Sequence, residues 1–195
     1  MATLVFFKEI KDSNLLRLGI SEGEETAVYT VRERVYNDVG APTRGSTLSD
    51  GAMELLIRED EYVRCKKRAL YLLSIADNNE RGLEAKLRAK GFSFDIARDV
   101  CREMVSLGYV NEDSQLERII AREANERLYG ARKIAARLAG KGYAPSRIRA
   151  AMQRLTERGE VDFLLNAEEL IRRKLDSGFS EDEKFALLAK YGYRK

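Results

Sequence analysis

Apolar and polar positions in the later part of the chain repeat with a period of about 50 residues. The segment LRAKGF at residues 87–92 returns as LAGKGY at 138–143, 51 positions later. It returns again as LAKYGY at 188–193, a further 50 positions on. Each copy ends a stretch of helical periodicity with a glycine and an aromatic residue. A fixed period of this length is typical of stacked helical units.

The first unit is predicted to contain three helices. The first helix, over residues 62–76, has apolar residues at spacings of three and four, namely Cys65, Ala69, Leu72, Leu73 and Ala76. The run DNN at 77–79 breaks it and can cap a second helix over about residues 80–90, which Gly91 ends. Ser93 is the predicted N-cap of a third helix, which Gly108 ends and whose apolar stripe is Ala97, Val100, Cys101 and Met104.

The second unit follows the same plan. Its first helix is marked by Leu116, Ile119, Ile120 and Ala124, and its second helix, ended by Gly142, by Ile134 and Leu138. Pro145 suits the first turn of the third helix. The apolar stripe of that helix matches the stripe of the first unit at an offset of 51 residues and consists of Ile148, Ala151, Met152 and Leu155.

The third unit is shorter. A first helix is predicted over residues 164–175, and Ser180 with Glu183 forms a capping box for a second helix to Lys190. Gly192 is the stop signal, and the third helix is absent from this sequence. We therefore expect part of the neighbouring apolar face to be uncovered, unless the second helix acts as a cap.

The N-terminal head has a different pattern. Residues 4–7, 15–20 and 27–30 read as three short strands that can form a small antiparallel sheet. Thr30 and Glu33 fit a capping box for a short helix that Gly40 ends. Ser49 is the predicted N-cap of a further helix through Glu61.

These elements predict a mainly α protein, with tandem three-helix repeats forming an elongated solenoid and a small N-terminal β-containing element. Four segments are expected. Residues 1–61 are a small acidic α+β element, 62–111 are repeat 1, 112–161 are a basic repeat 2, and 162–195 are a truncated repeat 3.

Each glycine-aromatic pair has two interpretations. Glycine after a helix takes the left-handed conformation, and the next residue packs back on the last turn. We expect this for Phe92, Tyr109, Tyr143 and Tyr193. The alternative is an exposed ring that stacks on a nucleic-acid base.

Composition weighs against several classes of enzyme. The chain has no histidine, which removes the commonest general base and the commonest nitrogen ligand for metals. It has no phosphate-binding glycine loop with a GK[ST] ending. The acidic clusters at 59–61 and 181–183 are placed at helix ends or starts, without an accompanying histidine. We expect no enzyme, and no catalytic residue, metal site or cofactor.

Two further features of the sequence indicate a cytoplasmic protein. The sequence has no run of 18 apolar residues, and its N-terminus does not resemble a signal peptide. We therefore expect a monomer that has no contact with membranes. Cys65 and Cys101 are isolated and are predicted to be reduced core residues, with a disulfide or a metal site as the alternative.

Charge is distributed unevenly along the chain. The net charge of +3 conceals an acidic head and a basic body, because residues 1–61 hold 7 basic and 12 acidic side chains. Residues 62–195 hold 28 basic and 20 acidic ones. From Arg127 to Thr156 there are eight basic side chains and no Asp or Glu. A solvated helix face normally mixes charges of both signs, and here the anions needed for pairing are missing locally.

The basic side chains also follow helical spacing. Lys133, Arg137 and Lys141 recur at i, i+4 and i+8, along one side of their helix. The next helix carries a similar row at i, i+7 and i+11, formed by Arg147, Arg154 and Arg158. We predict a surface for an anionic partner, with an ordinary solvated surface as the alternative. It consists of Arg127, Arg132, Lys133, Arg137, Lys141, Arg147, Arg149, Arg154 and Arg158.

The two complete repeats share a scaffold but differ in this basic face. Arg154 corresponds to Glu103 in repeat 1, and Lys133 corresponds to Gly82. The face is therefore not expected to be required for folding. Charge reversal at Arg137 and Arg154 should weaken partner binding with little loss of stability. Arginine outnumbers lysine, which favours bidentate contact with phosphate or carboxylate groups.

Several short motifs resemble those of the RecX family of bacterial recombinase regulators. They are REDEY at 58–62, KRALYLLS at 67–74, EAKL at 84–87, KGF at 90–92 and GYVNE at 108–112. YGARKI at 129–134, with Leu138 and KGY at 141–143, resembles the second repeat of that family. The resemblance covers about residues 28–193 and rests on the order and spacing of these motifs. Residues 77–82 are less basic than is usual in the family, and the last unit lacks its final helix.

The resemblance implies tandem three-helix repeats and, in some members, a β-containing N-terminal element. It implies a cytoplasmic protein that binds the RecA recombinase filament on DNA and inhibits its growth and its recombination, ATPase and coprotease activities. It implies no cofactor and no active site. The alternative is a helical protein that binds single- or double-stranded DNA directly, and a third interpretation is an enzyme with an unrecognised site.

Overall fold

The computed structural model describes residues 1–175 and 178–193, and it is mainly helical with a small N-terminal antiparallel sheet. This confirms the predicted fold class. The chain divides into two compact units: Met1–Ala76 with Leu83–Leu107, and Asp77–Gly82 with the chain from Gly108 onwards. The four segments predicted from the sequence stay predictions.

The head contains a sheet of strands β1 (Ala2–Ile10), β2 (Leu15–Glu22), β3 (Glu25–Arg32) and β4 (Thr47–Leu48), in the order β3-β2-β1-β4. All neighbouring pairs are antiparallel. The three predicted strands are confirmed and are longer than expected, whereas the two-residue β4 was not predicted. Alternate apolar residues such as Leu16, Leu18 and Ile20 are buried in one core cluster with Leu56.

The short helix α1 (Glu33–Asp38) follows β3 directly, and its predicted capping box is wrong. Thr30 is still in the strand, where its backbone N–H donates to Asp60 Oδ1 at 2.8 Å. The N-cap residue is Arg32, which makes no side-chain capping hydrogen bond. The stop signal was read correctly, because Gly40 has a φ of 88° just after the helix.

One continuous helix, α2 (Asp50–Ile75), occupies the region in which two helical segments were predicted. Its N-cap is Ser49, as expected, and the Ser49 side chain accepts a hydrogen bond from the backbone of Ala52. The predicted end at Glu61 is wrong, since the helix continues through it. The acidic cluster at 59–61 therefore lies inside a helix, where Glu59 and Asp60 are buried.

Repeat 1 continues with α3 (Glu80–Arg88) and α4 (Phe94–Ser106). Ser93 is the N-cap residue of α4, although its side chain makes no capping hydrogen bond. Cys65 and Cys101 are buried thiols in α2 and α4, as predicted. Burial raises the pKa of the Cys65 thiol to about 12.

The second unit contains α5 (Glu112–Asn125), α6 (Ala131–Gly140), α7 (Pro145–Glu157), α8 (Phe163–Lys174) and α9 (Glu181–Tyr191). Its core includes the predicted stripe residues Ile134, Leu138, Ile148 and Leu155. Met152 is only partly buried, unlike its counterpart Cys101 in repeat 1. The capping box of α9 is present, with Ser180 and Glu183 bonded reciprocally.

Two of the four aromatic residues that follow helix-ending glycines have firm partners. Tyr143 is buried and donates its hydroxyl to Gln115 Oε1 at 3.0 Å. Tyr193 donates to the carbonyl of Leu128 at 3.1 Å, and burial raises its pKa to about 12. Phe92 is half-buried. Tyr109 is 57% exposed, so more than half of its surface is open to solvent.

The third unit leaves apolar side chains uncovered. Within α8 the buried residue is Leu170, while Leu164 and Leu165 are largely exposed, and α9 buries none of its described residues. In the part of the chain that the structure describes, no helix is both long and apolar enough to cross a membrane.

Candidate functional site

The predicted row of arginines on α7 is paired with carboxylates on α5, which packs beside it. Arg147 donates to Glu112 at 2.8 Å and to Asp113 at 3.0 Å. Further along, Arg154 donates to Glu117 at 2.6 Å. Arg158 also donates to Glu117, at 2.8 Å, and to Glu160 at 2.6 Å. The anions are missing only from the neighbouring sequence, as predicted, because the partners of Arg147 and Arg154 come from a helix more than 30 residues away.

This charge network shifts the ionisation of its members. The hydrogen bond from Arg147 holds the pKa of the Asp113 carboxyl below its ordinary value. Hydrogen bonds from Arg158 and Arg154 lower the pKa of Glu117 in the same way. The acids keep their negative charges, so much of the positive charge of this row is neutralised within the molecule.

A second cluster forms around Glu123, which is 2% exposed. Arg137 binds it with two parallel contacts, Nε to Oε2 at 3.0 Å and Nη2 to Oε1 at 3.2 Å. Arg127 lies 3.6 Å from the same carboxylate. Because Arg137 compensates a buried charge, its reversal should destabilise the fold, contrary to the expectation from sequence.

Lys133 lies beside two tyrosine rings. Its Nζ is 4.1 Å from the ring centroid of Tyr129 and 4.9 Å from that of Tyr191. It also donates to the carbonyl of Lys190 at 3.3 Å. These contacts place the Lys133 side chain, which projects from α6, against the end of α9, so it stabilises local structure as well as carrying charge.

Three predicted site residues remain exposed and without a carboxylate partner in the described ranges 1–175 and 178–193, namely Arg132, Lys141 and Arg149. Arg132 and Arg149 line an open groove of about 680 Å³ between α6 and α7. We call it the alanine groove. Its other lining residues are Ala131, Ala135, Ala136, Ala139, Pro145, Ile148, Met152, Phe163, Gly192 and Tyr193.

The structure divides the nine predicted site residues into distinct environments. Arg127, Arg137, Arg147, Arg154 and Arg158 are paired with acids, Lys133 lies on tyrosines, and three cations face solvent. Sequence reasoning missed the acids of α5, although Asp113 and Glu117 are four residues apart and share a helix face. It also missed the groove, which the recurrence of alanine at 131, 135 and 139 could have indicated.

The exposed cations beside the apolar alanine groove are suited to a partner that carries both negative charges and apolar groups. Among the residues that the structure describes, no group of three or more His, Cys, Asp or Glu side chains could hold a metal ion.

Sequence comparison finds similarity to proteins that share one name. The chain is 26% identical to "Regulatory protein RecX" of Clostridioides difficile (strain 630) over 141 residues, which cover 72% of this chain and 65% of that protein. It is 22% identical to "Regulatory protein RecX" of Clostridium perfringens (strain 13 / Type A), over 95% of this chain and 88% of that protein. No protein-family model matches the chain.

Structural comparison shows the same fold. A crystal structure of regulatory protein RecX matches 100% of this chain and 95% of its own, with a TM-score of 0.73 and 17% identity. The crystal structure of RecX from Lactobacillus salivarius matches 68% of this chain and 86% of its own, with a TM-score of 0.56 and 22% identity.

Proposed function

We propose that this chain regulates a RecA-type recombinase. The proposal proceeds from the matches above, which support its assignment to the RecX family. In this proposal it is a cytoplasmic, non-catalytic monomer. It binds the recombinase filament on DNA and inhibits filament growth together with the recombination, ATPase and coprotease activities of the filament. The observation that carries the proposal is the match, over most of the chain, to proteins that are named as regulators.

The charge distribution of the second unit supports an anionic partner. Arg132, Lys141 and Arg149 are exposed and carry positive charge that described carboxylates do not neutralise. Such side chains can reach phosphate or carboxylate groups without first breaking an internal ion pair. Five of the six other basic residues of the predicted surface are paired with acids, so the proposal depends on these three exposed cations.

The proposal is tested by ATP hydrolysis of recombinase filaments on single-stranded DNA. Binding that blocks subunit addition or favours subunit release should lower the hydrolysis rate and shorten the filaments at substoichiometric protein, by mass action. An unchanged rate together with an unchanged filament length would contradict the proposed function.

A matched pair of triple variants examines the role of the surface. Arg132→Glu/Lys141→Glu/Arg149→Glu should inhibit less than the parent chain. Lys8→Glu/Lys11→Glu/Arg44→Glu makes the same change in net charge at exposed residues of the head and should inhibit as the parent does. Equal loss in both triple variants would show that only net charge matters.

A second candidate is direct binding to single- or double-stranded DNA, which the same three exposed cations favour. Binding to naked duplex DNA should then weaken steeply with salt, with a log–log slope of about −0.9 for each neutralised phosphate. Tight binding without recombinase would favour this candidate, and no binding at low salt would exclude it.

A further inference from the structure

The alanine groove of repeat 2 is lined at three positions by small residues where repeat 1 has larger ones, although the two repeats share their apolar stripes. In repeat 1 the corresponding positions, 51 residues earlier, hold Glu84, Arg88 and Phe94 in place of Ala135, Ala139 and Pro145. The guanidinium groups of Arg88 and Arg98 lie 5.2 and 5.3 Å from the ring centroid of Phe94. Repeat 1 therefore covers this part of its surface with its own long side chains.

The same comparison of the two repeats explains why the Arg149 guanidinium is available to bind a partner. Its counterpart Arg98 has a ring partner in Phe94 and an acid partner in Asp95, at 3.2 Å. In repeat 2 these two partners are replaced by Pro145 and Ser146. The arginine is kept while both of its internal partners are lost, so its charge faces the open groove.

Arg132, on α6, occupies a position where a positive charge is unfavourable for folding. It is in the first turn of α6, near the positive end of the helix dipole, and that turn contains no acidic residue. The first turns of α2 and α5 carry Asp or Glu, as the dipole favours. The guanidinium groups of both groove arginines thus have no carboxylate partner in the described part of the chain.

The lining of the groove favours a peptide over a nucleic acid. Small alanines in the same helical row allow another helix or strand to approach closely, and Ile148 and Met152 supply apolar contact. A nucleic-acid strand needs a row of cations for its phosphates and free aromatic faces for its bases. This groove has two cations and a mainly aliphatic lining. Of its two aromatic residues, Phe163 packs against the core and Tyr193 is bonded through its hydroxyl to Leu128. We propose that the alanine groove binds an amphipathic acidic segment of the protein partner. The apolar side chains of that segment lie on the alanine floor and its carboxylates lie on Arg132 and Arg149.

The binding mode is that of an amphipathic segment laid into a groove, where apolar anchors give contact area and charges fix orientation. The inference rests on the proposed function, because it identifies the part of the protein partner that the chain contacts. It adds a class of ligand and a location, neither of which follows from the regulatory role alone.

The first test introduces into repeat 2 the side chains that repeat 1 has at the corresponding positions. Ala139→Arg/Pro145→Phe/Ser146→Asp should fill the groove and give Arg149 the ring and the carboxylate that Arg98 has. We expect the concentration for half-maximal inhibition of filament ATPase to rise by at least about tenfold, the loss typical of removing central interface contacts. The matched control is Gln153→Arg, which also installs the repeat-1 residue but at an exposed position of α7 outside the groove.

The second test locates the contact chemically. A photo-crosslinking amino acid is placed at Ala136, inside the groove, or at Gln153, outside it, and each full-length chain is irradiated with recombinase filaments on single-stranded DNA. Mass spectrometry of the Ala136 product should identify a recombinase peptide that contains carboxylates and apolar residues, and the Gln153 chain should give little of it.

The outcomes separate the two proposals. If the parent chain does not affect the filament, the proposed function fails and the groove inference fails with it. If the parent inhibits but the filled variant inhibits equally, the groove inference alone is wrong. Crosslinking of Ala136 to DNA, or absence of a crosslink while inhibition persists, would also overturn it.

Discussion

Gly130 and Gly192 lie backbone against backbone in the second unit. A Cβ atom at Gly130 would be 2.6 Å from the carbonyl oxygen of Gly192. The backbone N–H of Gly130 donates to the carbonyl of Tyr191 at 2.8 Å, and that of Arg132 donates to the carbonyl of Gly192 at 3.2 Å. The C-terminal carbonyls of α9 and the N-terminal amides of α6, which lack partners within their own helices, therefore satisfy one another.

Replacement of Gly130 by alanine should destabilise the second unit. The new methyl group would force the end of α9 away from α6 and weaken both hydrogen bonds. Overpacking of this kind costs about 1–3 kcal/mol. Urea unfolding followed by circular dichroism should show a lower midpoint.

Gly140→Ala is the matched control for this change. Gly140 is the last residue of α6, whose N-cap is Gly130, and a Cβ added at Gly140 would meet nothing within 4 Å. Alanine there should be neutral or should stabilise by about 0.4–1 kcal/mol, because it restricts the unfolded chain. If both variants behaved alike, close packing at Gly130 would not be the cause.

Local signals predicted most of the elements, because they depend on neighbours within a few residues. The helix stops at Gly91, Gly142 and Gly192 were all read correctly, and each of these glycines has a positive φ. The capping box of Ser180 and Glu183 was also correct. Such motifs are written in adjacent residues and need no tertiary information.

Distant contacts account for the errors. Glu59 and Asp60 look like a helix end, yet they are buried within α2 because partners on β3 satisfy them. Arg32 Nη2 donates to Glu59 at 2.8 Å, across 27 positions of sequence. The acids that pair with Arg147 and Arg154 are likewise 34 to 37 positions away. Periodicity within one helix cannot reveal which neighbouring helix supplies the opposite charge.

Arg137→Met should destabilise the fold, because it leaves the buried carboxylate of Glu123 without its bidentate donor. The expected loss is about 1–3 kcal/mol, since the Arg137 side chain is 40% exposed and water can partly replace it. The charge-reversal variant Arg137→Glu should lose more. The free energy of unfolding, from urea titration, measures both.

A second substitution tests the mechanism of that loss. Glu123→Leu in the Arg137→Met background removes the uncompensated charge and should recover much of the stability. Arg122→Glu, an exposed reversal on the same helix as Glu123, should change stability by less than about 0.5 kcal/mol. No recovery in the double variant would indicate that Arg137 stabilises by packing instead.

Stability should fall in acid partly through the carboxylates of α5. Their pKa values are lower in the folded state than the ordinary 3.8 of Asp113 and 4.5 of Glu117. Their contribution is therefore complete above about pH 5 and is lost as pH falls through the depressed folded-state pKa values. The melting temperature of Asp113→Asn/Glu117→Gln should depend less steeply on pH between 5 and 3 than that of the parent chain.

Glu126→Gln is the control for the pH experiment, because Glu126 is exposed and has no ion pair in the described residues. It should reproduce the pH dependence of the parent chain. A double variant at Asp113 and Glu117 that kept the full acid sensitivity would show that the network with Arg147, Arg154 and Arg158 contributes nothing measurable to stability.

Cys65 and Cys101 should report the opening of the first unit. Both are fully buried, and the raised pKa of the Cys65 thiol keeps that residue unreactive at pH 8 even when reagent is present. In a Gln153→Cys variant, a disulfide reagent should modify the one exposed thiol at once. The two native thiols should react at least about a hundredfold more slowly, which corresponds to an opening free energy of roughly 3 kcal/mol or more. In urea all three thiols should react rapidly, so a fast phase of three thiols in the folded protein would show that the first unit is not closed around α2 and α4.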